Sequence, residues 1–184
     1  MVKTLNILIL FSCFTLGQRA DFYREDITFR LDSSCLNVEG YYWFANHFDK
    51  EMNSEIYYPF PNYLGGSVDS IRLFNISTGT RSHFKWESDN GISFLLKIAP
   101  LDTVFFQIGY RQKIIADCAI YILRTTQGWG KPIDLAEYKL IVPDSFIIKR
   151  FSYPPDKTYE IVKNKIFYWK KENFMPERDM IFYF

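Results

Sequence analysis

The sequence predicts an all-β protein: a single antiparallel β-sandwich, of immunoglobulin-like or jelly-roll-like type, over residues 22–184. Three observations carry this expectation. Apolar and aromatic residues recur with a period of two in one short segment after another, the signature of strands with one face on a core. Aromatic residues make up 19% of the chain, more than a helical bundle needs, and Tyr and Phe pack well on a pleated surface. Glycine and proline are scattered as turn punctuation at intervals of about eight to twelve residues, the spacing of a sandwich. Closure into a barrel is the alternative architecture.

Residues 1–17 stand apart from that domain. Lys3, an apolar run from Leu5 to Leu16 and the small residues Thr15 and Gly17 read as a secretory signal peptide. The run is shorter than the roughly twenty apolar residues a transmembrane helix needs. Cleavage after Gly17 would leave a chain starting at Gln18. A second reading takes Leu10-Phe11-Ser12-Cys13 as a lipobox, with Cys13 as an acylated anchor. Either way the domain is exported, to a periplasmic or extracellular space.

The strands follow in order. Ile27, Phe29 and Leu31 alternate with Thr28 and Arg30. Leu36–Phe44 places Val38, Gly40, Tyr42 and Phe44 on one face and Tyr41 and Trp43 on the other, so both faces are apolar or aromatic and the strand is central. Ile56–Phe60 ends at Pro59-Phe60-Pro61, where missing amide donors stop the ladder. Gly65-Gly66 leads to Val68–Ile76, and Ser77-Thr78-Gly79 leads to His83–Trp86. Asn90-Gly91 is a strong hairpin signal before Ile92–Ile98. Val104–Tyr110 and Ile114–Leu123 come next, separated by a bend or bulge at Gln112-Lys113. Beyond the Gly128-Trp129-Gly130 loop lie Leu135–Val142, Phe146–Phe151, Tyr159–Val162, Ile166–Trp169 and Met180–Phe184, with a tight turn at Lys163-Asn164. Asp134 and Ala136-Glu137 also permit a short helix over Ile133–Leu140, the one helical alternative.

Charge excludes little except nucleic acid. The chain has 22 Lys+Arg against 21 Asp+Glu, and loss of Lys3 with the leader makes the two equal. Residues 111–184 hold 13 basic and 9 acidic residues, a mild excess spread along strand edges, where lysine discourages edge-to-edge association. A nucleic-acid surface needs a denser patch. Export leaves Cys35 and Cys118 as the two cysteines of the domain. They read either as a disulfide, worth about 4.5 kcal/mol for a loop of roughly eighty residues, or as two separate buried thiols.

The sequence holds no catalytic motif. His47 and His83 are the only histidines, far apart and outside any metal spacing, and each is expected at a strand end. There is no Gly-x-Ser-x-Gly elbow and no phosphate-cradling glycine loop. Glu39, set in an aromatic strand, is the one isolated candidate for a perturbed acid, with a solvent-facing or paired carboxylate as the plainer alternative. No cofactor is implied. The aromatic residues offer a binding surface instead: Tyr41 and Trp43 on the second face of their strand, and Trp129 between two glycines. Trp129 is read as a lid folded back on the core beside Tyr121-Ile122-Leu123, or else as an exposed contact.

Three stretches resemble exported β-sandwich proteins of the bacterial envelope whose role is uncharacterised. They are Val38–Asn46 with Tyr57-Tyr58-Pro59-Phe60-Pro61, Tyr121–Pro143, and Phe174–Phe184. In those proteins a Tyr/Phe-x-Asn strand precedes an apolar strand ending in Phe-Pro, and a later strand ends in a Thr/Gly turn, Trp and Pro. The resemblance implies an envelope-associated fold and brings no catalytic residues. The function expected is non-catalytic, acting by protein contact on a sandwich surface. A carbohydrate-binding module using Tyr41, Trp43 or Trp129 is the alternative, and a glycoside hydrolase with paired carboxylates stands third. The partner is an envelope protein or a glycan.

Overall fold

A computed structural model describes residues 19–61, 67–88 and 90–184. Residues 1–17, expected from the sequence to be a leader, and with them Cys13, lie outside the described residues. All the longer elements are strands: β1 (Asp21–Leu31), β2 (Cys35–Ala45), β3 (Met52–Pro59), β4 (Val68–Asn75), β5 (Thr80–Arg81), β6 (Lys85–Glu87) and β7 (Gly91–Ile98) in the first half. The second half adds β8 (Thr103–Lys113), β9 (Cys118–Tyr121), β10 (Ile133–Pro143), β11 (Arg150–Phe151), β12 (Lys157–Ile161), β13 (Asn164–Phe174) and β14 (Met180–Tyr183). A short 3-10 turn, Arg124–Trp129, sits between β9 and β10.

Eight strands form one open sheet in the order β12-β13-β10-β1-β2-β8-β4-β5. Two separate three-stranded sheets, β3-β7-β6 and β11-β14-β9, make up the opposing layer. The all-β sandwich is therefore present and no barrel closes. One pairing departs from a purely antiparallel plan: β1 and β10 run parallel, from Arg24 opposite Leu135 to Arg30 opposite Ile141. Period-two alternation is the same in both kinds of ladder, so this pairing leaves no mark in the sequence pattern.

Alternate residues of β1, β2, β8 and β10 are buried and half-buried, as a sheet with one covered face requires. The core lies between the layers. Phe29 of β1 meets Tyr121 and Phe182 of the β9/β14 sheet edge-on, at 5.1 and 5.2 Å between centroids. Phe106 of β8 meets Phe94 of β7 at 5.4 Å. Each small sheet thus covers its own part of the large one. Trp169 of β13 is fully buried, and its indole N–H donates to the Tyr153 carbonyl at 2.9 Å, so the large ring enters the core without an orphaned donor.

Ile133–Leu140 takes the strand reading and not the helical alternative, because Ala136, Tyr138 and Leu140 alternate as wholly buried residues against the core. Another stretch departs from its sequence reading. Phe146–Ile148 is not strand. Its chain turns at Pro143-Asp144, with the Phe146 amide bonded to the Pro143 carbonyl, and only Arg150–Phe151 pairs. The β12–β13 turn also sits one residue earlier than expected, with positive φ at Val162 and Lys163. Cys35 and Cys118 are free, half-buried thiols, so of the two readings of this pair the disulfide is not formed.

Candidate functional site

Two places gather chemistry, one on each face of the large sheet. On the open face, Arg24, Trp43 and Phe105 stand side by side on β1, β2 and β8, in register across the ladder. Phe105 stacks on the indole with 5.6 Å between centroids and 9° between planes. From the opposite side the Arg24 guanidinium lies 4.7 Å from the Trp43 ring centroid, a cation–π contact. Tyr41 adjoins Trp43 at 6.3 Å. Around this row sit polar groups. Gln107 donates its amide to Glu39 at 2.5 Å, Arg24 bridges to Glu137 at 3.4 Å, and Tyr168 donates to Glu137 at 2.5 Å. Asp26 lies opposite Glu137 in the ladder, and its carboxyl is held above the usual carboxylate range by burial and by that neighbouring charge.

On the inner face, a cavity of about 60 Å³ lies where the two small sheets fail to meet. Their edge strands β3 and β9 face each other across it. Phe22, Glu25, Tyr42 and Phe44 of the large sheet form the floor, with Tyr58 on one wall and Trp129 on another. A bulge between Phe22 and Arg24 sets this floor. Without it, strand alternation would turn Phe22 away from the face that Glu25 and Ile27 share. With it, Phe22 and Glu25 both point inward.

The cavity is polar at its centre. The Tyr42 hydroxyl reaches Tyr58 of β3 at 2.8 Å and Tyr121 of β9 at 2.9 Å, so one side chain of the floor ties both edges together. Glu25 is 3% exposed and accepts a hydrogen bond from the Tyr138 hydroxyl. Burial pushes its carboxyl from an ordinary 4.5 up to about 7, against the opposing effect of that bond. The hydroxyls of Tyr42, Tyr58, Tyr121 and Tyr138 are pushed well above their ordinary value of 10, chiefly by burial, and stay neutral.

Trp129 closes one side. Its half-buried ring packs against Phe22 at 5.6 Å and Phe44 at 5.7 Å, the position of a lid. Asp179 fixes the turn that carries it: one carboxylate oxygen accepts the Leu123 and Arg124 amides, the other the Arg124 side chain. The turn ends at Gly130, whose φ of 74° lies in the left-handed region that glycine enters freely.

Of the residues singled out in the sequence, Tyr41 and Trp43 come together and Trp129 lies apart, on the other face of the sheet. Glu39 sits on the open face in a bond with Gln107. His47 lies beyond the end of β2 with a ring nitrogen 2.9 Å from Asp21, and His83 lies between β5 and β6. Among the described residues no three His, Cys, Asp or Glu side chains are grouped to hold a metal ion. The carboxylate that sequence reasoning missed is Glu25. Its signal was there: it shares the parity of Ile27 and Phe29 and therefore points inward.

No protein-family model matches the chain, and no curated protein matches it in sequence. Solved structures do. A Legionella pneumophila protein named for a proposed nutrient-binding role superposes with a TM-score of 0.72 at 12% identity, over 90% of this chain and 66% of its own. A mutant M1 zinc metallopeptidase of Deinococcus radiodurans, bound to a Tyr-Ser-Ala substrate, gives 0.55 at 15% identity, over 92% of this chain and 44% of that one. Another structure of that peptidase gives 0.54 at 16% identity, with 92% and 43% covered. What is shared is the fold. The chain spans just under two thirds of the first protein's length and less than half of the peptidase's.

Two expectations follow for the cavity. Folded Glu25 keeps its proton up to about pH 7, whereas in the unfolded chain it ionises near 4.5. Between those values the folded state binds more protons, so this contribution to stability falls as pH rises and levels off above 7. Urea unfolding should show the wild type losing roughly 3 kcal/mol more than Glu25→Gln between pH 4.5 and pH 8. Equal losses would mean that Glu25 is not buried as described. Trp129→Ala should cost about 2–3 kcal/mol in the same measurement, less than the ~3–5 of a fully buried ring because Trp129 is only half covered. A change within about 0.5 kcal/mol would make it a surface residue.

Proposed function

We propose that this chain is an exported, non-catalytic binding domain that engages another protein through the open face of its eight-stranded sheet. The observation that carries this reading is the Arg24–Trp43–Phe105 row. Tryptophan, tyrosine and arginine are the residues that dominate protein contact energies, above all where they cluster. Here three strands hold them in fixed register, with Tyr41 beside them. No other described strand lies over this face.

The same geometry argues against a sugar platform at Trp43. A pyranose stacks on an open ring face. Both faces of this indole are occupied, one by Phe105 and the other by Arg24. Only its edge is presented. Catalysis by a carboxylate pair also lacks support, since among the described residues Glu25 is the single carboxylate lining the cavity, and Asp26 and Glu137 stand on an open sheet face. The leader supports export. The fold shared with parts of longer proteins is compatible with a contact role, and the nutrient-binding role proposed for the Legionella protein remains a statement about that protein.

A photo-crosslinking amino acid at position 41 or 43, in protein carrying its own leader and expressed in its native envelope, should yield a discrete protein adduct. The same probe at Ile147, exposed but away from the row, should not, and a glycan array with the mature protein should be silent. Intact mass of the recovered protein should correspond to a start at Gln18, with a diacylated Cys13 as the distinguishable alternative. Glycan binding that disappears in a folded Trp43→Ala variant, with no protein adduct, would overturn the reading in favour of carbohydrate.

A further inference from the structure

The cavity between β3 and β9 has a chemical asymmetry that the open-face reading does not use. Among the described residues its lining contains one carboxylate, Glu25, and no lysine, arginine or histidine. Burial and the Tyr138 hydroxyl are what act on Glu25, and no basic side chain offsets the cost of its charge. Around it the surfaces are ring faces and phenol oxygens: Phe22, Tyr42, Phe44, Tyr58, Tyr121 and Trp129. Aromatic faces are electron-rich and attract cations. A buried carboxylate set among such rings, with no cation of its own, lacks only its counter-ion.

We propose that this cavity is a binding site for a small organic cation, a primary or methylated ammonium, with Glu25 as counter-ion and the surrounding rings as its cage. Size fits. A volume of about 60 Å³ exceeds the ~10–15 Å³ that one water needs and is well short of the ~150 Å³ that admits benzene. The donor set favours an ammonium over a hard metal ion, because one carboxylate and neutral hydroxyls fall short of the six or more oxygens that calcium takes. Trp129 both lines the cavity and reaches solvent, so entry runs beside its ring on the 3-10 turn.

The site is also expected to be pH-gated. Glu25 faces Tyr42 of β2, Tyr58 of β3, Tyr121 of β9 and Tyr138 of β10, all neutral between pH 6 and 8 because burial holds their protons. Glu25 is therefore the one group in the cavity that titrates in this range, and its ionised form is the one that binds. This inference stands on the inner face alone, so its failure and that of the open-face reading are separate results.

The test is an NMR titration of the mature protein with ¹³C-methylammonium chloride at constant ionic strength. At pH 8 the methyl resonance should shift upfield saturably, because ring currents act on a ligand held among aromatic faces. Affinity should fall about tenfold between pH 8 and pH 6, where only about a tenth of Glu25 is ionised. Glu25→Gln should weaken binding at least about tenfold while leaving the amide spectrum folded. Should that variant not fold, the pH series on the wild type decides alone. An unshifted methyl signal overturns the proposal. So does equal binding at both pH values, full competition by potassium chloride, or an equal saturable shift with methanol, the neutral molecule of the same size.

Discussion

Strands in a sheet lie about 4.8 Å apart, so an eight-stranded face is close to 40 Å wide. Three strands cover less than half of that. Two three-stranded sheets can shield the inner face, but only if they lie side by side, and they do so without pairing. The interior therefore contains a seam between two strand edges, β3 and β9. Edges carry backbone donors and acceptors that a dry core does not tolerate. Tyrosine hydroxyls bridge the seam side chain to side chain. Tyr42 rises from the floor and bonds to a tyrosine on each side, joining the two small sheets through the large one.

From that seam the rest of the inner chemistry follows. Hydroxyls bonded to one another make a patch of polarity inside an apolar layer, and a patch of this kind is where a carboxyl can be buried at tolerable cost. Glu25 occupies it, directly opposite Tyr42 in the ladder and bonded to Tyr138. The low dielectric that makes the hydroxyl bonds strong also disfavours charge, which is why the carboxyl holds its proton to near neutrality. The void beside it has the same origin. Edges that cannot pair cannot close up completely, and Trp129 fills the opening only in part.

Much of this was legible in the chain. Each long strand announced itself by period two, and β2 read as central because both its faces were apolar. The lid position of Trp129 followed from its glycines and the neighbouring Tyr121–Leu123. What alternation cannot express is partnership. Whether β1 pairs with β10 in parallel, and whether the covering layer is one sheet or two, depends on contacts between distant residues that no local pattern encodes. Phe146–Ile148 misled for a related reason: its alternating apolar residues partly pack on the core without entering a ladder. Trp43 was found, but the closure of both its ring faces by Arg24 and Phe105 needed the register. Glu39 has its aromatic neighbours in sequence, where a local pattern shows them, whereas Glu25 has them only in space.

β1 joins the two faces at one point. Its bulge lies immediately before Arg24, which caps the tryptophan on the open face, and Glu25, the next residue, which enters the cavity. Successive residues of a strand point to opposite sides, so these two roles fall on neighbouring positions of the register that runs unbroken from Arg24–Trp43 to Leu31–Leu36. The same bulge brings Phe22 inward against Trp129. Had the strand run regularly, Phe22 would face outward beside Arg24, and the lid would lose one of the two rings it rests on. The regular ladder thus sets the outer stack and the inner carboxyl, and the single inserted residue before it adds the seating of the lid.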